Sequence, residues 1–195
     1  MSRADKYSLL LLAGGKSKRM GANKAELLYN GKTFVETLIE KAKQLGITKI
    51  YLSGYPKEVD GAEFVPDVYL EVGPLGGIHG GLCRVETPYC MILPVDVPQV
   101  PVTFLDEMIN YHENNVASGK KKGLPLVLER QEFLEPLIGI YPAGITSFIE
   151  ERIQAQVLSV FRMVKSLGYT SYAGDVEEAL IANINTKEDY EKLIK

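Results

Sequence analysis

Two groups of residues in this chain have the types and spacing that act on phosphate. The first begins where the apolar run Leu9-Leu10-Leu11-Leu12 stops at Ala13-Gly14-Gly15 and is followed by Lys16, Lys18, Arg19 and Lys24. Glycines let main-chain N–H groups approach a phosphate with no Cβ in the way, and the four cations can neutralise a triphosphate. The second is Asp96, which closes the apolar run Tyr89-Cys90-Met91-Ile92-Leu93-Pro94-Val95. A carboxylate across from a basic phosphate loop is the kind of ligand Mg²⁺ takes alongside substrate phosphates and water. The pair of features predicts transfer chemistry at phosphorus, with Arg19 and Lys24 stabilising charge on the transferring group and Asp96 holding Mg²⁺.

Other phosphate loops fit poorly. Walker A needs a glycine five residues ahead of its Gly-Lys-Ser, and the position five before Gly15-Lys16-Ser17 is Leu10. Neither Gly14-Gly15 nor the later glycines 73, 76, 77, 80 and 81 give Gly-x-Gly-x-x-Gly, so a dinucleotide-binding fold is not favoured. Ser17 lacks a nearby His/Asp arrangement, which leaves a serine hydrolase without support. Cys83 and Cys90 lack Cys-x-x-Cys spacing and read as buried thiols. His79 reads as structural, and His112 as lying on a polar stretch of helix.

The elements that must position these residues follow from periodicity and punctuation. Leu9–Leu12 reads as a strand buried on both faces. Glu26 to Tyr29 is a short extended piece ended by Asn30-Gly31; Thr33 with Glu36 is a capping box, Phe34, Val35, Leu38, Ile39, Ala42 and Leu45 share a helical face, and Gly46 closes the helix. Residues 47 to 53 form the next strand. A βαβ unit of this kind puts the basic loop at the carboxyl edge of a parallel sheet, where open α/β sheets bind ligands. Glu63-Phe64-Val65 is a third strand. The glycines between 73 and 81 argue against an ordinary helix interior there and for a loop that something approaches closely, with close packing of a helix start against the sheet as the alternative. A helix over 101–114, a strand pair over 124–129 and 136–141, a helical region over 144–168, and a final helix capped by Thr186 with Asp189 complete the chain. Lys120-Lys121-Lys122 reads as a solvated loop, or as a contact for an anionic substrate.

The totals narrow the class. A chain of 195 residues without an internal linker or repeat is expected to form one domain. A net charge of −3 sets the basic cluster against an acidic background and favours a small anion over nucleic acid. No apolar run is long enough to span a bilayer, and two cysteines suit a reducing interior, so a cytoplasmic protein with no membrane partner is expected.

The stretch Leu12-Ala13-Gly14-Gly15-Lys16-Ser17-Lys18-Arg19-Met20-Gly21, with Lys24 after it, resembles the signature of nucleotidyltransferases with a GT-A-like fold. Its double glycine is most similar to that of the molybdenum cofactor guanylyltransferase family. Asp67 with Gly73-Pro74-Leu75-Gly76-Gly77-Ile78, Asp96-Val97-Pro98, and Asn183-Ile184-Asn185-Thr186 near the C-terminus extend the resemblance; Gly76 and Lys187 stand where that family has Ala and Pro. The resemblance implies a Rossmann-like three-layer α/β/α nucleotidyltransferase fold with a mainly parallel central sheet. It implies GTP and molybdopterin as substrates, Mg²⁺ as cofactor, and other cofactor-biosynthesis proteins as candidate partners. It further implies nucleotide contacts at Leu12, Ala13, Gly14, Gly15, Lys24, Asp67 and Asp96, and molybdopterin contacts at Asn183 and Asn185. The same chemistry with CTP or a sugar phosphate, and a non-catalytic nucleotide-binding adaptor, stay open because no residue in the sequence is seen to read the base.

Overall fold

The computed structural model describes residues 2–14, 23–119, 123–131 and 133–194. After a short helix α1 (Arg3–Lys6), strand β1 (Tyr7–Leu12) runs through the middle of a seven-stranded sheet, and all six of its residues are buried. Alternate side chains serve the two faces, as a strand's period of two requires. Leu9 and Leu11 join the core under α2 (Phe34–Gln44) and α4 (Val102–Ala117), while Leu10 and Leu12 join the core under α3 (Pro74–Arg84), α5 (Thr146–Gln154) and α6 (Val160–Leu167). The expected three-layer arrangement results.

Strand order sets where a ligand can enter. The remaining strands of the sheet are β4 (Ile50–Ser53), β5 (Glu63–Val65), β6 (Tyr89–Pro94), β7 (Leu126–Arg130), β8 (Phe133–Pro142) and β9 (Thr170–Tyr172), in the order β5-β4-β1-β6-β8-β7-β9. Strands β5, β4, β1 and β6 are parallel, β8 is antiparallel to both β6 and β7, and β9 is parallel to β7. The chain travels outward from β1 to β4 and β5 on one side, then returns through α3 to β6 on the other. That reversal opens a crevice beyond the carboxyl ends of β1 and β6, the place where doubly wound sheets take ligands.

Local chemistry explains the helix that makes the first crossover. Asn30 and Gly31 both have positive φ and turn the small hairpin β2 (Leu28–Tyr29) and β3 (Lys32–Thr33), so the expected extended piece is one arm of a hairpin. Thr33 Oγ1 accepts from Glu36 N at 3.2 Å while Glu36 Oε2 accepts from Thr33 N at 2.7 Å, which closes the capping box of α2. At the other end Gly46 takes φ +78°, Ile47 N donates to Ala42 O, and Gly46 N donates to Lys43 O, satisfying two terminal carbonyls. Residues 47–49 link this turn to the strand, which begins at Ile50 rather than at 47.

Several expectations are corrected. The favoured loop reading of the glycine-rich segment gives way to its alternative: the segment is a helix, α3, packed on the sheet, and its glycines are a packing device. A Cβ at Gly81 would meet Leu10 Cδ2 at 2.3 Å, and one at Gly77 would meet Ser53 Oγ at 2.5 Å, so the helix lies flat on β1 and β4 only because these positions are bare. The intrinsic cost of Gly in a helix, about 1 kcal/mol each, is outweighed by this close approach. The region 144–168 is two helices with a break at 155–159, where Gln156 has φ +57°. His112 faces inward, 4% exposed, with Nδ1 2.8 Å from the Tyr7 hydroxyl, and Cys83 is exposed whereas Cys90 is buried. Among the described residues no helix is long and apolar enough to cross a membrane.

Candidate active site at the sheet's carboxyl edge

A cavity of about 810 Å³ lies over the carboxyl ends of β1, β4 and β6. Main-chain bonds continue past the strands and hold its floor: Ala13 N donates to Ser53 O at 2.8 Å, and Val95 N donates to Leu12 O at 3.1 Å. Leu12, Ala13 and Gly14 therefore form the middle of the floor, with Ser53 on one side and Val95-Asp96 on the other.

The β6 flank is cationic and acidic at once. Lys24 opens a 3₁₀ turn, Lys24–Glu26, capped by Asn23, whose Oδ1 accepts from Ala25 N at 3.0 Å; Ala25 is buried and anchors the turn. From there Lys24 Nζ donates to Asp96 Oδ2 at 2.8 Å and to Asn185 Oδ1 at 2.6 Å. Both side chains of the ion pair are sheltered, 16% and 15% exposed. Asp96 Oδ1 is buried and receives no hydrogen bond among the described residues. Its carbonyl accepts from Ile184 N at 2.8 Å, which ties the C-terminal segment to the site.

Two supports hold this flank in place. Asp189, in the helix α7 (Lys187–Leu193), accepts from Asn185 N at 3.0 Å and Thr186 N at 2.9 Å; these bonds lower its pKa and fix the segment that carries Asn185. Lys41 on α2 donates to the carbonyls of Pro98 and Val100 at 2.7 and 2.6 Å, clasping the turn that follows Asp96, and burial draws its pKa down to about 8.

The β4 flank carries two acids. Ser53 Oγ donates to Asp67 Oδ1 at 2.8 Å, and Glu71, Gly73, Pro74 and Gly77 continue the wall into the start of α3. The sequence singled out Asp67 and the glycine segment; it passed over Ser53, Glu71 and Leu137, which also line the cavity. Ser53 was findable, because it ends a parallel strand just as Leu12 and Pro94 do.

The structure thus brings Leu12, Ala13, Gly14, Lys24, Asp67 and Asp96 together around one cavity. Asn185 reaches it through Lys24, while Asn183 is exposed and is not part of the wall. Gly15, Arg19 and the other cations at 16 and 18 lie outside the described residues, as do Lys120–Lys122.

Comparison with known proteins agrees with the residue pattern. The family described as MobA-like NTP transferase domain matches residues 9–163. The probable molybdenum cofactor guanylyltransferase of Flavobacterium johnsoniae is 32% identical over 97% of each chain. That of Clostridium perfringens (strain 13 / Type A) is 31% identical over 97% of each chain. Among solved structures, molybdopterin-guanine dinucleotide biosynthesis protein A from Archaeoglobus fulgidus superposes with a TM-score of 0.75 at 23% identity, covering 95% of this chain and 96% of that one.

Proposed function

This chain belongs to the MobA-like NTP transferase family and is a nucleotidyltransferase, and from that premise we propose that it moves GMP from GTP to the terminal phosphate of molybdopterin. An oxygen of the acceptor phosphate attacks the α-phosphorus, the bond between that phosphorus and the bridging oxygen to the β-phosphate breaks, and pyrophosphate leaves. Little covalent work falls to the protein in such a transfer; it holds the reactants in line and stabilises charge. The observation that carries the reading is the convergence of Lys24 and Asp96 on the crevice beyond β1 and β6.

Each group has a part. The bare backbone at Gly14 allows a phosphate to come close to the end of β1. Lys24, held in the free protein by Asp96 and Asn185, turns to the triphosphate when it arrives. Arg19 adds charge stabilisation, and Asn185, released by Lys24, joins Asn183 on the molybdopterin side. The donor set fits Mg²⁺: Asp96 offers a buried oxygen that no donor among the described residues occupies, and no cluster of three acidic, His or Cys side chains among them suits a metal held by protein alone. Bound there, Mg²⁺ would offset the negative charge of the phosphates and of the departing pyrophosphate.

Pyrophosphate release, measured with GTP, CTP, ATP or UTP in the presence of molybdopterin and Mg²⁺, tests the reading. Release from GTP that depends on molybdopterin is expected. Preference for CTP, or nucleotide binding without release, would overturn it.

A further inference from the structure

The cavity is electrostatically divided, and the division assigns the base. Its β6 flank holds Lys24 and Asp96, whereas its β4 flank holds two carboxylates, Asp67 and Glu71, with no cation among the described residues of its wall. A triphosphate would be repelled by that second flank. N–H donors of a nucleobase would be attracted to it.

The two acids differ in what they can accept. Asp67 has one oxygen already engaged by Ser53 Oγ at 2.8 Å. Glu71 makes no ion pair or hydrogen bond among the described residues and can offer both oxygens. It sits at φ +61°, a conformation that glycine takes freely and glutamate does not, so the surrounding loop must impose it. The anchors on either side are visible. Tyr69 donates its hydroxyl to Glu150 at 2.6 Å and stands edge-on to buried His79, and its carbonyl lies where a Cβ on Gly76 would be only 2.6 Å away. Val72 packs on the core under α3. Between two inward-facing side chains, Glu71 is left at the cavity on a tethered loop.

Resting on the guanylyl-transfer reading above, we infer that Glu71 is the residue that selects guanine, its carboxylate accepting from N1–H and the 2-amino group together. Guanine alone among the four common bases presents two adjacent N–H donors on that edge. Adenine and cytosine place an acceptor beside their amino group, and uracil flanks its single N–H with carbonyls. A carboxylate therefore pairs with guanine through two parallel bonds and faces an unpaired acceptor with any other base, which is how a hydrogen-bonding site rejects analogues.

The test uses the full chain with GTP, ITP (no 2-amino group) and XTP (a carbonyl in its place), measuring kcat/KM for pyrophosphate release with molybdopterin. The parent enzyme is expected to favour GTP over ITP by at least about tenfold, as loss of one hydrogen bond to a charged group predicts. Glu71→Ala should bring that ratio to near unity. Glu71→Gln, whose amide accepts from N1–H and donates to a carbonyl, should shift preference from GTP toward XTP by at least about tenfold on the same basis. An unchanged GTP/ITP ratio in Glu71→Ala, no gain for XTP in Glu71→Gln, or an equal loss with all three nucleotides would overturn the assignment. A parent enzyme that prefers CTP would instead refute the guanylyl-transfer reading, and that outcome is read before any variant is made.

Discussion

If Lys24 and Asp96 serve the same triphosphate, removing both must cost less than the sum of removing each. The free-state pair is tight: at 2.8 Å and an effective dielectric of 20, its gross attraction is about 6 kcal/mol before desolvation. Mg²⁺ and a triphosphate each carry more charge than the side chain they would replace, so both compete for this pair. Asp96→Asn and Lys24→Ala should each lower kcat/KM at least about a hundredfold, or about 2.7 kcal/mol of transition-state stabilisation. Acting independently, the two losses would sum to about 5.4 kcal/mol, roughly a ten-thousandfold fall. Acting on one phosphate group, the double variant should lose no more than about 4 kcal/mol, because each residue's contribution depends on the other. Pyrophosphate release at saturating Mg²⁺ measures this. Urea unfolding runs alongside, since Lys24→Ala leaves a sheltered carboxylate without its cation, which costs about 3–5 kcal/mol for a fully buried pair and less at the exposure seen here. Strict additivity in correctly folded proteins, or near-parental kinetics in either single variant, would refute the shared role.

Two further predictions concern the scaffold. Gly81→Ala, although Ala is the better helix former, should destabilise the protein by about 1–3 kcal/mol because its Cβ would strike fully buried Leu10, whereas Gly144→Ala, with open space around it, should be neutral or slightly stabilising; urea midpoints compare them. Burial lowers His112 from 6.5 to about 4, so between those values the unfolded chain binds the extra proton and stability rises with pH, the contribution being complete above pH 6.5 and lost toward pH 4. That window is worth up to about 3 kcal/mol. The slope of unfolding free energy against pH should flatten there in His112→Gln, and an unchanged slope would remove His112 as its source.

What the sequence made legible was whatever local chemistry determines. The capping pairs Thr33/Glu36 and Thr186/Asp189, the turn at Asn30-Gly31, and the apolar runs ending at Leu12 and before Asp96 are set by neighbours along the chain, and each is found in the structure. The glycine-rich helix was the less favoured of two readings for the opposite reason. Propensity sees only the cost of Gly77 and Gly81, while their benefit comes from Ser53 and Leu10, which lie far away in sequence. His112 was misjudged because its partner, Tyr7, is 105 residues distant. Within the site, the strand ends could be read from topology, but the placement of Glu71 could not: it depends on a residue at positive φ in the loop between Tyr69 and the start of α3, which puts it on the same flank as Asp67.

A crystal structure with GTP and Mg²⁺ bound would test the central claim most directly. The triphosphate should lie between the end of β1 and Asp96, with Lys24 Nζ moved from the carboxylate to a phosphate oxygen and guanine against Glu71. Nucleotide bound elsewhere, or a Lys24–Asp96 pair undisturbed beside it, would contradict the account.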